Sequence, residues 1–260
     1  MSVEVLVKCQ LTTQHSTLNT KKMKLDILVF AIHPDDAELS CAGTILSHLA
    51  KGKKVGIVDL TKGELGTRGS AELRLIEANF SAQLMGLTVR EQLGLADGFF
   101  ENDRESQLSL IQIIRKYQPE IVLTNAIEDR HPDHGRACEL QIDACFLAGL
   151  VKIETYHKGK IQEAWRPKHV YNYIQDRYIA PDFVMDITPF WEKKMEVIKV
   201  FASQFYDPKS NEPMTYIAND TFLNFIEGRA LEMGHKIGVK YGEGFTKQRP
   251  LSVNNLFDFK

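Results

Sequence analysis

An apolar run that leads into a cluster of His and Asp occurs twice in this chain. Leu25-Asp26-Ile27-Leu28-Val29-Phe30-Ala31-Ile32 runs directly into His33-Pro34-Asp35-Asp36, and Ile121-Val122-Leu123-Thr124-Asn125 lies a few residues before His131-Pro132-Asp133-His134. Each run reads as a buried strand. Open α/β sheets bind ligands beyond the carboxyl ends of their parallel strands, where the strand order reverses. Two His/Asp clusters delivered to that place point to a mononuclear metal site and hydrolytic chemistry. The plainer alternative is that these residues only cap the helices that follow. Recurrence at two strand ends weighs against it.

The rest of the chain alternates in the same way. A strand over 24–32 is followed by a helix over 37–51, with Ile45, Leu46 and Leu49 at helical spacing and Gly52 as its stop. A second strand is expected over 55–60, then a glycine-rich stretch over 61–70. Ser70 is placed to cap a helix over 71–85, with Leu73, Ile76, Phe80 and Leu84 expected on its inner face. A short strand over 92–95, a helix over 108–117 ended before Pro119, a strand over 121–125 and a helix from about 134 to 150 complete a core over 23–150. The β-α-β-α order implies an α/β fold: a mostly parallel sheet flanked by helices, with right-handed crossovers. The extension over 151–260 is expected to add strands over 170–174 and 183–187, a long helix over 190–205, a loop over 207–219 and a last helix over 220–240. Residues 23–260 thus read as a single domain. Residues 1–22, rich in Thr, Gln, Ser and Lys, read as a disordered leader, or translation starts at Met23.

A net charge of −2 leaves no basic field for nucleic acid. No stretch approaches the ~20 apolar residues of a membrane-spanning helix. The four cysteines form no C-x-x-C unit, which fits free thiols in a cytoplasmic enzyme. The first strand is not followed by G-x-G-x-x-G, and the glycine-rich stretch lacks G-x-x-x-x-G-K-[ST], so neither dinucleotide nor P-loop chemistry is indicated. That stretch offers Glu64, Thr67 and Arg68 to a sugar, or is a solvated turn. His33 and Asp36 are one helical turn apart, as are His131 and His134, and Asp35 lies between the first pair. His48, His157, His169 and His235 have no second ligand nearby in sequence.

The segments Ala31-Ile32-His33-Pro34-Asp35-Asp36-Ala37-Glu38 and Asp129-Arg130-His131-Pro132-Asp133-His134 resemble the two signatures of the PIG-L/LmbE-like zinc N-deacetylases. Residues 55–69, 94–100, 173–178 and 203–207 resemble the branch of that family that acts in bacillithiol biosynthesis, and the likeness runs from about residue 23 to the C-terminus. The resemblance implies a Rossmann-like core and Zn²⁺ held by His33, Asp36 and His134, a donor set that also suits Fe²⁺, Mn²⁺ or Co²⁺. It implies Asp35 as general base, His131 as acid and oxyanion stabiliser, and Asp133 as the group that orients His131. Sugar contacts fall on Glu64, Arg74 and Asp97. Arg166 falls at the site mouth.

The substrate implied is N-acetylglucosaminyl-malate, hydrolysed to glucosaminyl-malate and acetate. A malate needs cations, and Arg68, Arg130, Arg166 and Arg177 are the candidates, each with the alternative of a structural role. A tyrosine that some relatives place over the zinc has no counterpart here; Phe222 stands near its position. The resemblance further implies a homo-oligomer, with a hexamer expected, and a small-molecule sugar conjugate as partner rather than nucleic acid or membrane. The alternatives are a deacetylase of another N-acetylglucosamine conjugate, and a non-catalytic sugar- or nucleotide-binding domain that has lost the base or a ligand. This chain keeps them all.

Overall fold

The computed structural model describes residues 23–258, so the reading of 1–22 as a leader lies outside the described residues. Its centre is a seven-stranded sheet. The strands of the first half are β1 (Ile27–Ala31), β2 (Val55–Asp59), β3 (Val89–Gln92) and β4 (Ile121–Thr124). They are joined by helices α1 (Asp36–Ala50), α2 (Ala71–Met85) and α3 (Arg104–Tyr117), and α4 (Pro132–Leu147) follows β4. A separate hairpin then pairs β5 (Tyr156–His157) with β6 (Lys160–Ile161). The second half adds β7 (His169–Tyr173), β8 (Phe183–Asp186), α5 (Trp191–Ile198), α6 (Phe222–Lys236) and β9 (Gly242–Lys247).

The sheet order is β3-β2-β1-β4-β7-β9-β8. Every pairing from β3 to β7 is parallel, and β9 is antiparallel to both β7 and β8. The expected α/β architecture is therefore what the chain forms. The chain moves outward from β1 to β2 to β3, then returns to the other side of β1 with β4. The reversal between β1 and β4 opens a crevice at their carboxyl ends, where both His/Asp clusters emerge.

Burial explains why β1 is an unbroken apolar run. All five of its residues are buried. Leu28 and Phe30 pack with Ile114 and Leu140 on one face, and Val29 packs with Ile45, Ile57 and Phe245 on the other. Asp103 caps α3 by accepting the Ser106 N–H at 2.8 Å, and Gln118 closes it in a left-handed conformation just before Pro119.

Several details differ from the sequence reading. The third strand is Val89–Gln92 rather than 92–95, because α2 stops at Gly86 (φ 78°) and the β2 ladder is met at once. The inner face of α2 is not the apolar one: Arg74, Glu77, Ala78, Ser81 and Met85 are buried, while Ile76 is exposed. Polar partners draw that face inward, since the Glu38 carboxylate accepts from Ser81 and pairs with Arg90, which also bridges to Asp59.

The long helix over 190–205 is cut to Trp191–Ile198. Glu77 takes the Ser203 N–H and hydroxyl at 2.8 and 2.7 Å, so the chain turns there instead of continuing the helix. The last helix ends at Lys236 rather than 240, just before Gly238 (φ 75°). Strand β9 has no hydrophobic alternation to reveal it; it is Gly-Glu-Gly at its start.

Candidate active site

His33 follows β1, and Asp35 and Asp36 begin α1. Asp35 takes φ 123°, a left-handed conformation that a non-glycine residue adopts only at a cost of order 1–3 kcal/mol. The Arg74 guanidinium holds this turn: Nη2 donates to the Pro34 carbonyl at 2.6 Å and lies 3.2 Å from the Asp35 carboxylate. Gly63 makes the reach possible, because a Cβ there would lie 2.0 Å from Arg74 Nη1. His131 caps α4 with Pro132 at its first turn, which sets His134 one turn in.

The clusters meet as the strand order requires. Asp36 Oδ1 is 3.2 Å from His134 Nε2, and Asp36 Oδ2 is 3.7 Å from His33 Nδ1. Ring nitrogens of His33, His131 and His134 lie within 4.8 Å of one another. The far sides of His33 and His134 are held by carboxylates: His33 Nε2 by Asp97 at 2.9 Å with Asp133 at 3.5 Å, and His134 Nδ1 by Asp129. Such partners fix the tautomer and aim of metal-binding histidines. Asp36 is steadied by two amides, Asn125 Nδ2 at 3.2 Å and Gln175 Nε2 at 3.1 Å.

The electrostatics fit a cation. Burial opposes charge on His33, but hydrogen bonds to Asp133 and Asp97 and the charge of Asp36 outweigh it and carry the imidazole up to about 10. His134 is likewise opposed by burial and raised by Asp36 and Asp129, to about 9. Burial pushes Asp36 up, yet His134 and His33 hold it well below the usual carboxylate range. The protein thus gathers carboxylates around both imidazoles, which favours positive charge in the crevice. Burial lifts Asp35 to about 7 against the pull of Arg74.

Other expected residues fall less simply. Asp133 does not orient His131 with its carboxylate. That carboxylate accepts the Gly98 N–H at 3.0 Å, pairs with Arg136 and faces His33. Only the Asp133 backbone N–H reaches His131, donating to Nδ1 at 3.3 Å, which leaves Nε2 as the protonated nitrogen of a neutral ring. Burial and then the His33 and His134 charges lower the pKa of His131, which favours that neutral form.

Asp97 backs His33 instead of lining the cleft, and Glu64 accepts the Lys62 and Asp97 N–H groups at 3.1 and 3.0 Å. Arg68 is used by the chain itself: it donates to the Ser203, Phe205 and Pro213 carbonyls and pairs with Glu212. Arg166 is away from the cleft, over the Phe146 ring and donating to the Phe146 carbonyl. Arg177 is exposed, and its backbone N–H donates to Asp129. Arg74 and Arg130 do line the cleft; Arg130 lies 4.0 Å over the Tyr216 ring and 3.8 Å from Asp176. Phe222 lines it too.

Sequence reasoning missed Asn125, Asp129 and Gln175. Asn125 and Gln175 stand just past strand ends, a position that could have flagged them. Asp129→Asn is expected to weaken metal affinity about 10–100-fold with the ligands intact; chelator competition measures it, and an unchanged affinity would remove the role given to Asp129.

The cleft has a volume of about 160 Å³. A parallel α/β sheet with His and Asp converging at its switch point defines a hydrolase-like centre able to hold a metal. The pattern described as PIG-L, GlcNAc-PI de-N-acetylase, matches residues 28–145. The structure of a conserved protein from Thermus thermophilus superposes with a TM-score of 0.77 at 32% identity, covering 89% of this chain and 98% of that one. Diacetylchitobiose deacetylase of Thermococcus kodakarensis is 28% identical, over 84% of this chain and 81% of its own. The 4-oxalmesaconate hydratase of Pseudomonas putida is 26% identical, over 73% and 78%. Residues 28–145 thus carry the PIG-L pattern, and the chain is similar to deacetylases along most of its length. Among the described residues no helix is long and apolar enough to cross a membrane.

Proposed function

We propose that this chain is a metal-dependent N-deacetylase of an N-acetylglucosamine conjugate. The observation that carries the reading is the placement of Asp35. It is a buried carboxylate raised to about 7, one residue from Asp36 and held beside the His33–Asp36–His134 group by Arg74. A divalent cation on His33, Asp36 and His134 supplies Lewis acidity and acidifies water toward a pKa of ~7; Zn²⁺ suits these donors, as do Fe²⁺, Mn²⁺ and Co²⁺.

Asp35 takes the proton as water attacks the acetamide carbon. Neutral His131 donates through Nε2 to the oxygen that gains charge. The C–N bond then breaks and the amine leaves with the proton that Asp35 took from water, giving acetate and a free glucosamine amine.

The finer reading is the malate conjugate, supported by the likeness of the loop segments to the bacillithiol branch. With Arg68 and Arg166 engaged elsewhere, Arg130 is the cation at the cleft able to take a malate carboxylate. The test is acetate release from N-acetylglucosaminyl-malate, diacetylchitobiose and free N-acetylglucosamine, with hydration of 4-oxalmesaconate measured alongside. The expected result is deacetylation, with kcat/KM for the malate conjugate at least ~10-fold above free N-acetylglucosamine, about one charge-assisted contact. Equal values would remove malate and leave a general sugar deacetylase. Hydration with no amide cleavage would overturn the deacetylase reading altogether.

A further inference from the structure

The chemistry above uses only one end of the cleft. Beyond Asp36 the wall turns apolar: Leu39, Ile174, Phe222, Ile226, Ala230 and Met233 line it. On α6, Phe222, Ala230 and Met233 are buried, at 6%, 3% and 1% exposure, and Phe225 is 36% exposed. Ile174 and Met233 pack closely onto Gly244, where a Cβ would come within 3.0 Å of Ile174 and 3.1 Å of Met233.

The charges that line the cleft beside this wall are already engaged: Arg229 donates to the Gln175, Asp176 and Arg177 carbonyls, and Lys194 pairs with Glu243. Lys194 Nζ is 2.7 Å from Glu243 Oε1, both are buried, and the Glu243 carboxylate also accepts the Gly43 and Thr44 N–H groups at 2.9 and 2.7 Å. Those two N–H groups are freed by the kink in α1 at Cys41. The Lys194–Glu243 pair therefore serves the fold and adds no uncompensated charge for a ligand.

An acetyl group needs room for a single methyl. A sugar or a malate laid along this wall would lose its water to side chains that offer no hydrogen bond, which is costly. We infer that the apolar arm is an acyl pocket, so the substrate class of this site extends to N-acylglucosamine conjugates whose acyl chain is longer than acetyl. The inference rests on the amide-hydrolase reading given above. The acyl chain is the occupant that fits because it starts at the reacting carbonyl, beside Asp36, and Leu39 is the first wall residue one turn along α1. An apolar group on the far side of the sugar would have to draw the ring hydroxyls past Leu39 and Ile174. The step is the same hydrolysis: water adds to the acyl carbon, the C–N bond breaks, and a carboxylate and an amine leave.

The test uses the full-length, metal-loaded enzyme with N-acetyl-, N-butanoyl- and N-hexanoylglucosamine carrying one common aglycone, read by amine release. Each added methylene buried on the wall is expected to raise kcat/KM about fourfold, the equivalent of ~0.8 kcal/mol, until the arm is full. Butanoyl should therefore exceed acetyl by about sixteenfold. Ala230→Phe is expected to bring the butanoyl-to-acetyl ratio toward one, and Ile226→Trp does the same should the first variant not fold. Acetyl cleaved best by the wild type would sink the acyl pocket while leaving the deacetylase reading standing. A gain with an alkyl aglycone but none with a longer acyl chain would assign the arm to the aglycone and overturn the inference. Cleavage of no amide would strike at the function instead.

Discussion

An Asp35→Asn enzyme is expected to bind metal as the wild type does and to lose about 10²–10⁴-fold in kcat. The amide keeps the size of the side chain and its contact with Arg74, but it cannot take a proton from water. Because Asp35 sits at φ 123°, substitution by Ala would also disturb the turn, and Asn is among the residues best tolerated at positive φ. The variant thus isolates the proton from the backbone. Metal content, far-UV circular dichroism and single-turnover amine release separate the effects. A variant within threefold of wild type would take the base role from Asp35 and pass it to His131. That ring is neutral and half-buried, and it stacks on His134 with centroids 5.2 Å apart.

Much of this centre could be read from residues alone, for a physical reason. The ligand residues are local: each cluster spans four positions and follows an apolar run, so spacing and strand ends place them with no knowledge of the far contacts. The sheet was legible for the same reason, since Ile27–Ala31 and Val55–Asp59 are buried on both faces and must be apolar throughout. What escaped depends on distant partners. Nothing local in α2 marks Arg74 and Glu77 as buried; their partners are Pro34 and Ser203, 40 and 126 residues away. Arg68 and Arg166 looked like substrate cations because side-chain destination is a tertiary property, and here both end on backbone carbonyls. Asp97 and Asp133 were given to sugar and to His131, yet both turn to His33, the buried imidazole with the strongest need for an acceptor.

His134→Ala is expected to lose most bound metal and at least ~10³-fold in activity, well beyond the ~10–100-fold expected when only a supporting partner is changed. The reason lies in the count, since the proposed site has three protein ligands and this removes one. The proton balance gives the same prediction a second readout. In the metal-free protein His33 is held up to about 10 and His134 up to about 9, so both carry protons at neutral pH. A metal ion must displace them, and its affinity therefore strengthens as pH rises and weakens as pH falls, by about tenfold per pH unit for each proton released. Below about pH 9 the wild type is expected to show a slope near two when log affinity is plotted against pH. The His134→Ala protein, with one imidazole fewer, should show both a weaker affinity and a slope near one. Chelator competition between about pH 6 and 8 measures both. Full metal occupancy in His134→Ala with an unchanged slope would mean that the ion sits elsewhere in the crevice, against His33, Asp97 and Asp133, a group of side chains close enough to hold one.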